Sequence, residues 1–259
     1  MNNCSAKEPW SGIPEAFRAG AILPSPWEER FGPLRTGAVD DLVIVGQTGQ
    51  SLDGRIATAA GHSHYINGAE GLAHLHRLRA LVDAVVVGIG TALADDPQLT
   101  VRRVAGPHPV RVVVDPRGRL PASARLLAAD GVDRLVVTSQ GTRSPAGVET
   151  IALPADNGLI APSAILAALA ERGLRRIMIE GGAATVSRFL AAGCLDRLHI
   201  VVAPLILGAG PAAVTLSPVE RVEECLRPPV CAHRLGDEML FDCDLSAQRK
   251  PIGRAKRSM

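Results

Sequence analysis

Residues 176 to 202 read RIMIEGGAATVSRFLAAGCLDRLHIVV, and this stretch decides the fold. Arg176–Ile179 is a short apolar run of the kind that forms a buried strand. Residues 183–192 carry apolar side chains at helical spacing, and Leu198–Val202 is a second strand. Between the first strand and the helix stand Glu180, Gly181 and Gly182. A strand that ends in glycines and opens a helix turns backbone N–H groups and the positive end of the helix dipole outward. With no side chains in the way, that geometry suits a phosphate. A plain tight turn is the ordinary alternative, and the full G-x-G-x-x-G fingerprint is absent. Glu180, at the C-terminal end of a strand, stands where ligands of open α/β sheets collect.

The same alternation extends outward from this stretch. Leu42–Val45, Ala84–Val87, Val110–Val114, Arg134–Val137 and Met239–Cys243 read as further strands, and residues 69–81 and 162–172 as further helices. Strands alternating with helices predict an α/β protein with helices on both faces of its sheet. With no repeat period and no low-complexity tract, the core reads as one domain over residues 39–247. Residues 1–38 differ. Pro9, Pro14, Pro24, Pro26 and Pro33 interrupt every helical pattern there, while Trp10, Phe17, Trp27 and Phe31 would be wasted in solvent, so the segment reads as an arm docked on the core. Residues 248–259 are polar and basic and read as a frayed tail.

Composition narrows the function. In a chain of 259 residues, 47% hydrophobic content supports a large core, and a net charge of +2 with only 3% aromatics argues against a nucleic-acid surface. No run of apolar residues is long enough for a membrane span, and the N-terminus lacks the pattern of a secretory signal. Five cysteines without C-x-x-C spacing suggest neither a disulfide framework nor a zinc site, and fit a reducing cytoplasm. The partners expected are small molecules.

Two further strand ends carry polar groups. Gly46-Gln47-Thr48-Gly49-Gln50-Ser51-Leu52-Asp53-Gly54 follows the first strand and reads as a loop with a turn at Asp53-Gly54, where Gly49 would let a flat ring or ribose approach the backbone. Beyond Val85–Val87 comes Ala94-Asp95-Asp96-Pro97-Gln98-Leu99-Thr100-Val101-Arg102-Arg103, by default a solvated acidic turn. The pairs His62/His64 and His74/His76 resemble metal ligands, but residues two apart on a helix point away from each other, so no metal is expected. No G-x-S-x-G elbow is present, which argues against a serine hydrolase.

Taken together, SLDGRIATAAGHSHYINGAEG, HRLRALVDAVVVGIGTALADDPQLTVR and IMIEGGAATVSRFLAAGCLDRLHIVVAPLILGAG resemble, in order and spacing, the reductase domain of the riboflavin-biosynthesis deaminase/reductase family. The resemblance covers residues 42–245. It implies a dihydrofolate reductase-like fold, a mixed and mostly parallel sheet, a homodimer, and use of NADPH to reduce the ribosyl side chain of 5-amino-6-(5-phosphoribosylamino)uracil. It also implies that Gly49, Tyr65, Thr91, Asp95 and the turn Gly182, Ala183, Ala184, Thr185, Val186, Ser187 meet the cofactor. Ser63, Arg79, Leu99, Arg102 and Glu180 would surround the substrate. In that scheme Arg79 and Arg102 fork onto the substrate phosphate, and Glu180 or Asp95 assists the proton transfer. Within the acidic pair, Asp96-Pro97 would shape the turn, and Arg103 stays an ordinary solvated charge.

The residues before Val39 hold no H-x-E with a P-C-x-x-C partner, so a reductase without its deaminase is expected. Two positions depart from the family's usual pattern: Gln47 stands where lysine is common, and Ala184 where threonine or serine is common. The alternatives to this reading are a reductase of another pyrimidine or pterin on the same fold, and a non-catalytic nucleotide-binding protein.

Overall fold

The computed structural model describes residues 9–63 and 66–252. Two short helices open it, α1 (Ile13–Arg18) and α2 (Trp27–Phe31). There follow β1 (Val43–Ser51), α3 (Ala69–Leu81), β2 (Ala84–Gly88), α4 (Ile89–Asp95), β3 (Val110–Val114), β4 (Arg134–Ser139) and β5 (Glu149–Leu153). A small hairpin of β6 (Ala155–Asp156) and β7 (Leu159–Ile160) leads to α5 (Pro162–Ala170), β8 (Arg176–Glu180), α6 (Ala183–Ala191) and β9 (Arg197–Ala203). The chain closes with β10 (Val230–Leu235) and β11 (Glu238–Asp244).

Nine strands form one sheet in the order β10-β11-β9-β1-β8-β2-β3-β4-β5. Pairing is parallel from β9 to β5, and β11 is antiparallel to both β9 and β10. The expected α/β class, mostly parallel with helices on both faces, is what the chain adopts. Because successive strand residues point to opposite faces, the β-branched runs feed two cores. Val43, Val45, Val85, Val87, Val113 and Val136 pack with α3, α4 and the N-terminal segment. Ile44, Val86, Val112, Ile177 and Ile179 pack beneath α5 and α6.

Three expectations are corrected. β1 does not stop at Val45 but runs on to Ser51, through residues read as loop. The cause is β9, whose Arg197–Ala203 backbone pairs with Val45–Ser51 and needs no apolar side chains to do so. Prolines do not bar helices from the N-terminal segment. Pro14 lies in the first turn of α1 and Pro26 is the N-cap of α2, where a missing N–H costs nothing. The tail is not frayed as far as Ile252: Arg249 is buried against Asp196, and Lys250 N–H donates to Gly193 C=O at 2.8 Å.

The aromatic residues of the N-terminal segment are buried. Trp10 meets Trp27 edge-on at 5.2 Å, Trp27 stacks on Phe31, and Phe31 stacks on His74 of α3.

Candidate active site

β8 lies between β1 and β2, and its C-terminal end stands beside the end of β2 and the middle of β1. Gln47 stands opposite Glu180 in one register, and Val86 opposite Ile179 in the other. From β2 the chain enters α4 directly, and from β8 it enters α6 through Gly181 and Gly182. The two turns interlock. Gly182 N–H donates to Thr91 Oγ1 at 2.7 Å, and a Cβ on Gly88 would collide with Thr185 Oγ1. Gly181 sits at φ 110, a conformation that favours glycine. No side chain caps α6, which leaves the first-turn N–H groups of Ala183 and Ala184 open among the described residues. Deeper in the helix, Val186 is buried in the core, and the Ser187 hydroxyl accepts Thr215 N–H at 2.8 Å. The N–H groups that an anion could meet here are therefore those of Ala183 and Ala184.

Glu180 and Arg79 form a buried pair. Arg79 Nε donates to Glu180 Oε2 at 2.8 Å, and its Nη2 donates to Oε1. The remaining Arg79 nitrogen, Nη1, donates to Thr100 C=O at 2.9 Å. Arg79 in this arrangement orients Glu180 and the 99–103 loop. Both Glu180 oxygens keep a second lone pair with which to accept from a bound hydroxyl.

The loop after α4 divides its charges. Asp95 ends the helix on the exposed side. Asp96 adopts φ 38 and accepts Arg125 N–H at 2.8 Å, which ties the turn down as its sequence suggests. Leu99 is buried at φ 55, its side chain in the core. Val101 N–H donates to His108 Nδ1 and Arg102 N–H to His76 Nδ1, each at 3.0 Å. Burial, and then the charges of Arg79, Arg102 and Arg103, push the His76 imidazole down to about 3, so it serves as a neutral acceptor. Arg102 and Arg103 are exposed and have no carboxylate partner among the described residues.

Beside this loop lies a cavity of about 300 Å³ lined by Gly49, Ile56, Ser63, Asn67, Leu72 and Arg103. Gly49 and Ser63 come together here. The missing side chain of Gly49 is accounted for by Asn67, whose Oδ1 fills the place of a Cβ. Asn67 is held in turn by Glu238 of β11, which accepts its Nδ2 at 2.8 Å and caps α3 through Gly68 and Gly71 N–H. Tyr65 and His64 lie outside the described residues.

Asp53 turns out to be structural. It accepts Leu207 and Gly208 N–H and the Ser51 hydroxyl, joining the S-L-D-G segment to the loop after β9, and these bonds hold its carboxyl down to about 2. His74 and His76 part as their spacing requires. His74 Nε2 lies 3.1 Å from His199 Nδ1 under the sheet, while His76 faces the arginine loop. Arg103 is the residue that sequence reasoning passed over. Its identity and its place beside Arg102 were visible, but nothing local says that it faces a cavity.

Crossover turns that offer open N–H groups at the ends of parallel strands, beside a charged cleft, are the arrangement of an α/β protein that binds a phosphorylated small molecule at its strand ends. Residues 43–228 match the model of the RibD C-terminal domain, and the chain belongs to that family. It is 37% identical over 192 residues to the 2,5-diamino-6-ribosylamino-4(3H)-pyrimidinone 5′-phosphate reductase of Methanothermobacter thermautotrophicus, covering 70% of this chain and 86% of that one. It is 35% identical over 184 residues to the riboflavin biosynthesis protein RibD of Aquifex aeolicus, covering 69% of this chain but only 50% of the relative. Among solved structures, a diaminohydroxyphosphoribosylaminopyrimidine deaminase/5-amino-6-(5-phosphoribosylamino)uracil reductase from Thermotoga maritima superimposes with a TM-score of 0.68. The identity is 28%, over 78% of this chain and 56% of that one. The chain thus spans about half the length of the bacterial relatives it matches. A reductase family implies a nicotinamide cofactor, and the open α6 N-terminus, the glycines of its turn and Thr91 fit a dinucleotide phosphate there.

Proposed function

We propose that this protein reduces the ribosyl side chain of a 5′-phosphorylated ribosylaminopyrimidine to a ribityl chain with NADPH, as a step of riboflavin biosynthesis. The observation that carries the reading is Glu180, held by Arg79 between the uncapped start of α6 and the arginine-bearing loop. One side of Glu180 offers N–H groups suited to a dinucleotide phosphate. The other offers the guanidinium groups of Arg102 and Arg103, which have no carboxylate partner among the described residues, for charge-assisted contacts with a sugar phosphate.

In this scheme Gly182, Ala183, Ala184, Thr91 and Asp95 border the cofactor, Ser63 and Arg102 border the substrate, and the buried Leu99 shapes the loop that carries Arg102. Bound NADPH supplies hydride. The acceptor is C1′ of the ring-opened, imine form of the substrate; the C=N bond is reduced, and a proton enters at nitrogen. Glu180 accepts from sugar hydroxyls and so fixes the face of C1′ presented to hydride. Asp95, exposed at the end of α4, passes the proton from solvent.

The loop after β9 and the sheet edge expose Val222, Leu226, Val230 and Phe241, which suits a homodimer interface. No helix among the described residues is long and apolar enough to cross a membrane, and Cys194, Cys225, Cys231 and Cys243 are free thiols, which suits the cytoplasm.

The test mixes the protein with NADPH and either the diaminopyrimidinone or the aminouracil ribosylamine phosphate, and follows loss of the reduced-cofactor absorbance. Turnover of one or both is expected. NADPH binding without turnover of either would overturn the reading.

A further inference from the structure

From Asp96 to Pro109 the chain has no regular secondary structure, and long loops of this kind in compact domains are usually functional or disordered. This one is ordered by side chains. Thr100 C=O accepts from Arg79, and the N–H groups of Val101 and Arg102 donate to His108 and His76. The last tether comes from the N-terminal segment: Trp10 Nε1 donates to Ala105 C=O at 2.6 Å. Next to it Gly106 takes φ 146. A Cβ there would stand 2.6 Å from Ala80 Cβ and 3.4 Å from Pro14 Cγ, so the loop is gripped between α3 and α1.

Trp10 is itself rigidly placed. It is 8% exposed, edge-on to both Trp27 and Phe31, and the Arg77 guanidinium lies over its ring. The family match begins only at residue 43, so Trp10 and Pro14, the N-terminal half of this grip, lie outside it.

The loop presents Arg102 and Arg103, and Arg103 lines the cavity together with Gly49 and Ser63. Neither guanidinium has a carboxylate partner among the described residues, and Glu180, the acid that acts on Arg102, is engaged by Arg79. Exposed arginines with no carboxylate partner among the described residues suit an anionic ligand.

We propose that the N-terminal segment is a working part of the substrate site: Trp10, through the Ala105 carbonyl, positions the loop that points Arg103 into the cavity, and Arg103 determines specificity for the anionic end of the substrate. The proposal rests on the reductase reading for the identity of that substrate. The chemistry required of the ligand is a sugar monophosphate.

The experiment measures kcat and KM for the ribosylaminopyrimidine 5′-phosphate and its dephosphorylated form. Binding of ribose 5-phosphate alone is followed in parallel by thermal shift. Arg103→Gln should raise KM for the phosphorylated substrate by about 10- to 100-fold, the scale of one charge-assisted contact, and leave the dephosphorylated form and NADPH affinity unchanged. Arg103→Lys should recover part of the loss. Trp10→Phe keeps an aromatic ring among Trp27 and Phe31 and deletes the N–H along with the second ring; it should raise the same KM about fivefold, with kcat unchanged.

An Arg103→Gln enzyme with unchanged KM, or with equal losses on both substrates, would overturn the role of Arg103. A Trp10→Phe enzyme that loses only thermal stability would overturn the role of the segment. If the wild-type protein reduces neither pyrimidine, the reductase reading fails by itself. The subsite is then judged by ribose 5-phosphate, which should stabilise the wild-type protein and not Arg103→Gln; equal shifts would reject it.

Discussion

Arg79 of α3 and Glu180 of β8 share two hydrogen bonds in the interior, with Arg79 Nε 2.8 Å from Glu180 Oε2. They lie 101 positions apart in the sequence, and the pair joins the helix after the first strand to the acid at the end of the central one. A charge left alone at such depth is costly, so Arg79→Met should destabilise the protein by about 3–5 kcal/mol. Adding Glu180→Leu should restore a good part of that, giving strong non-additivity in a double-mutant cycle of urea unfolding. Additive losses would show that the two side chains do not depend on each other.

Gly88 illustrates a second dependence between distant turns. Its φ of −80° suits any residue, so only Thr185 Oγ1, lying where a Cβ would be, demands glycine. Gly88→Ala should cost about 1–3 kcal/mol through overpacking. Thr185→Ala in the same chain should relieve most of the cost, as read by melting temperature, unless the clash is absorbed by rotation of the threonine.

The acidic pair of the α4 turn should separate by measurement. Asp96→Ala removes a residue tolerant of left-handed backbone and the acceptor for Arg125 N–H, and should cost about 1–2 kcal/mol of stability. Asp95→Asn should, on the proposed proton route, lower kcat roughly 100-fold. The reverse pattern would exchange the two roles.

Stability should fall on mild acidification. Burial and the surrounding arginines hold His76 neutral down to about 3, and burial also lowers His74 well below its ordinary value. In the unfolded chain both take up protons near pH 6.5. Between that pH and about 3 the unfolded state therefore binds more protons, and stability is lost as pH falls through the window. His76→Gln keeps an acceptor for Arg102 N–H and removes the titration, so its melting temperature should decline less steeply between pH 6.5 and 4.5. Parallel declines would mean that His76 is protonated in the folded protein.

Much of the architecture is legible because parallel sheets bury strands on both faces. Val85–Val87 is apolar throughout, and Val110–Val114 and Arg176–Ile179 are apolar but for Arg111 and Arg176, so their composition and length identify them without tertiary help. The second half of β1 is different. Gly46–Ser51 is polar and glycine-containing, and it becomes strand only because β9 supplies its hydrogen bonds. The edge strand β10 and the short helices of the N-terminal segment escaped detection for the same reason, since neighbours rather than propensity hold them.

The site divides along the same line. Local sequence by itself determined the helix-opening glycines after Glu180, the identity of Asp95 and Asp96, the arginine pair at Arg102-Arg103 and the aromatic load of the first residues. Tertiary structure decided that Arg79 serves Glu180, that Asn67 fills the space left by Gly49, that Asp53 ties loops together, and that Arg103 meets a cavity while Trp10 steadies its loop. The physical reason is range. Backbone conformation and helix polarity are set within a few residues, whereas the partner of a buried charge or the space beside a glycine is supplied by segments that meet only once the sheet is assembled.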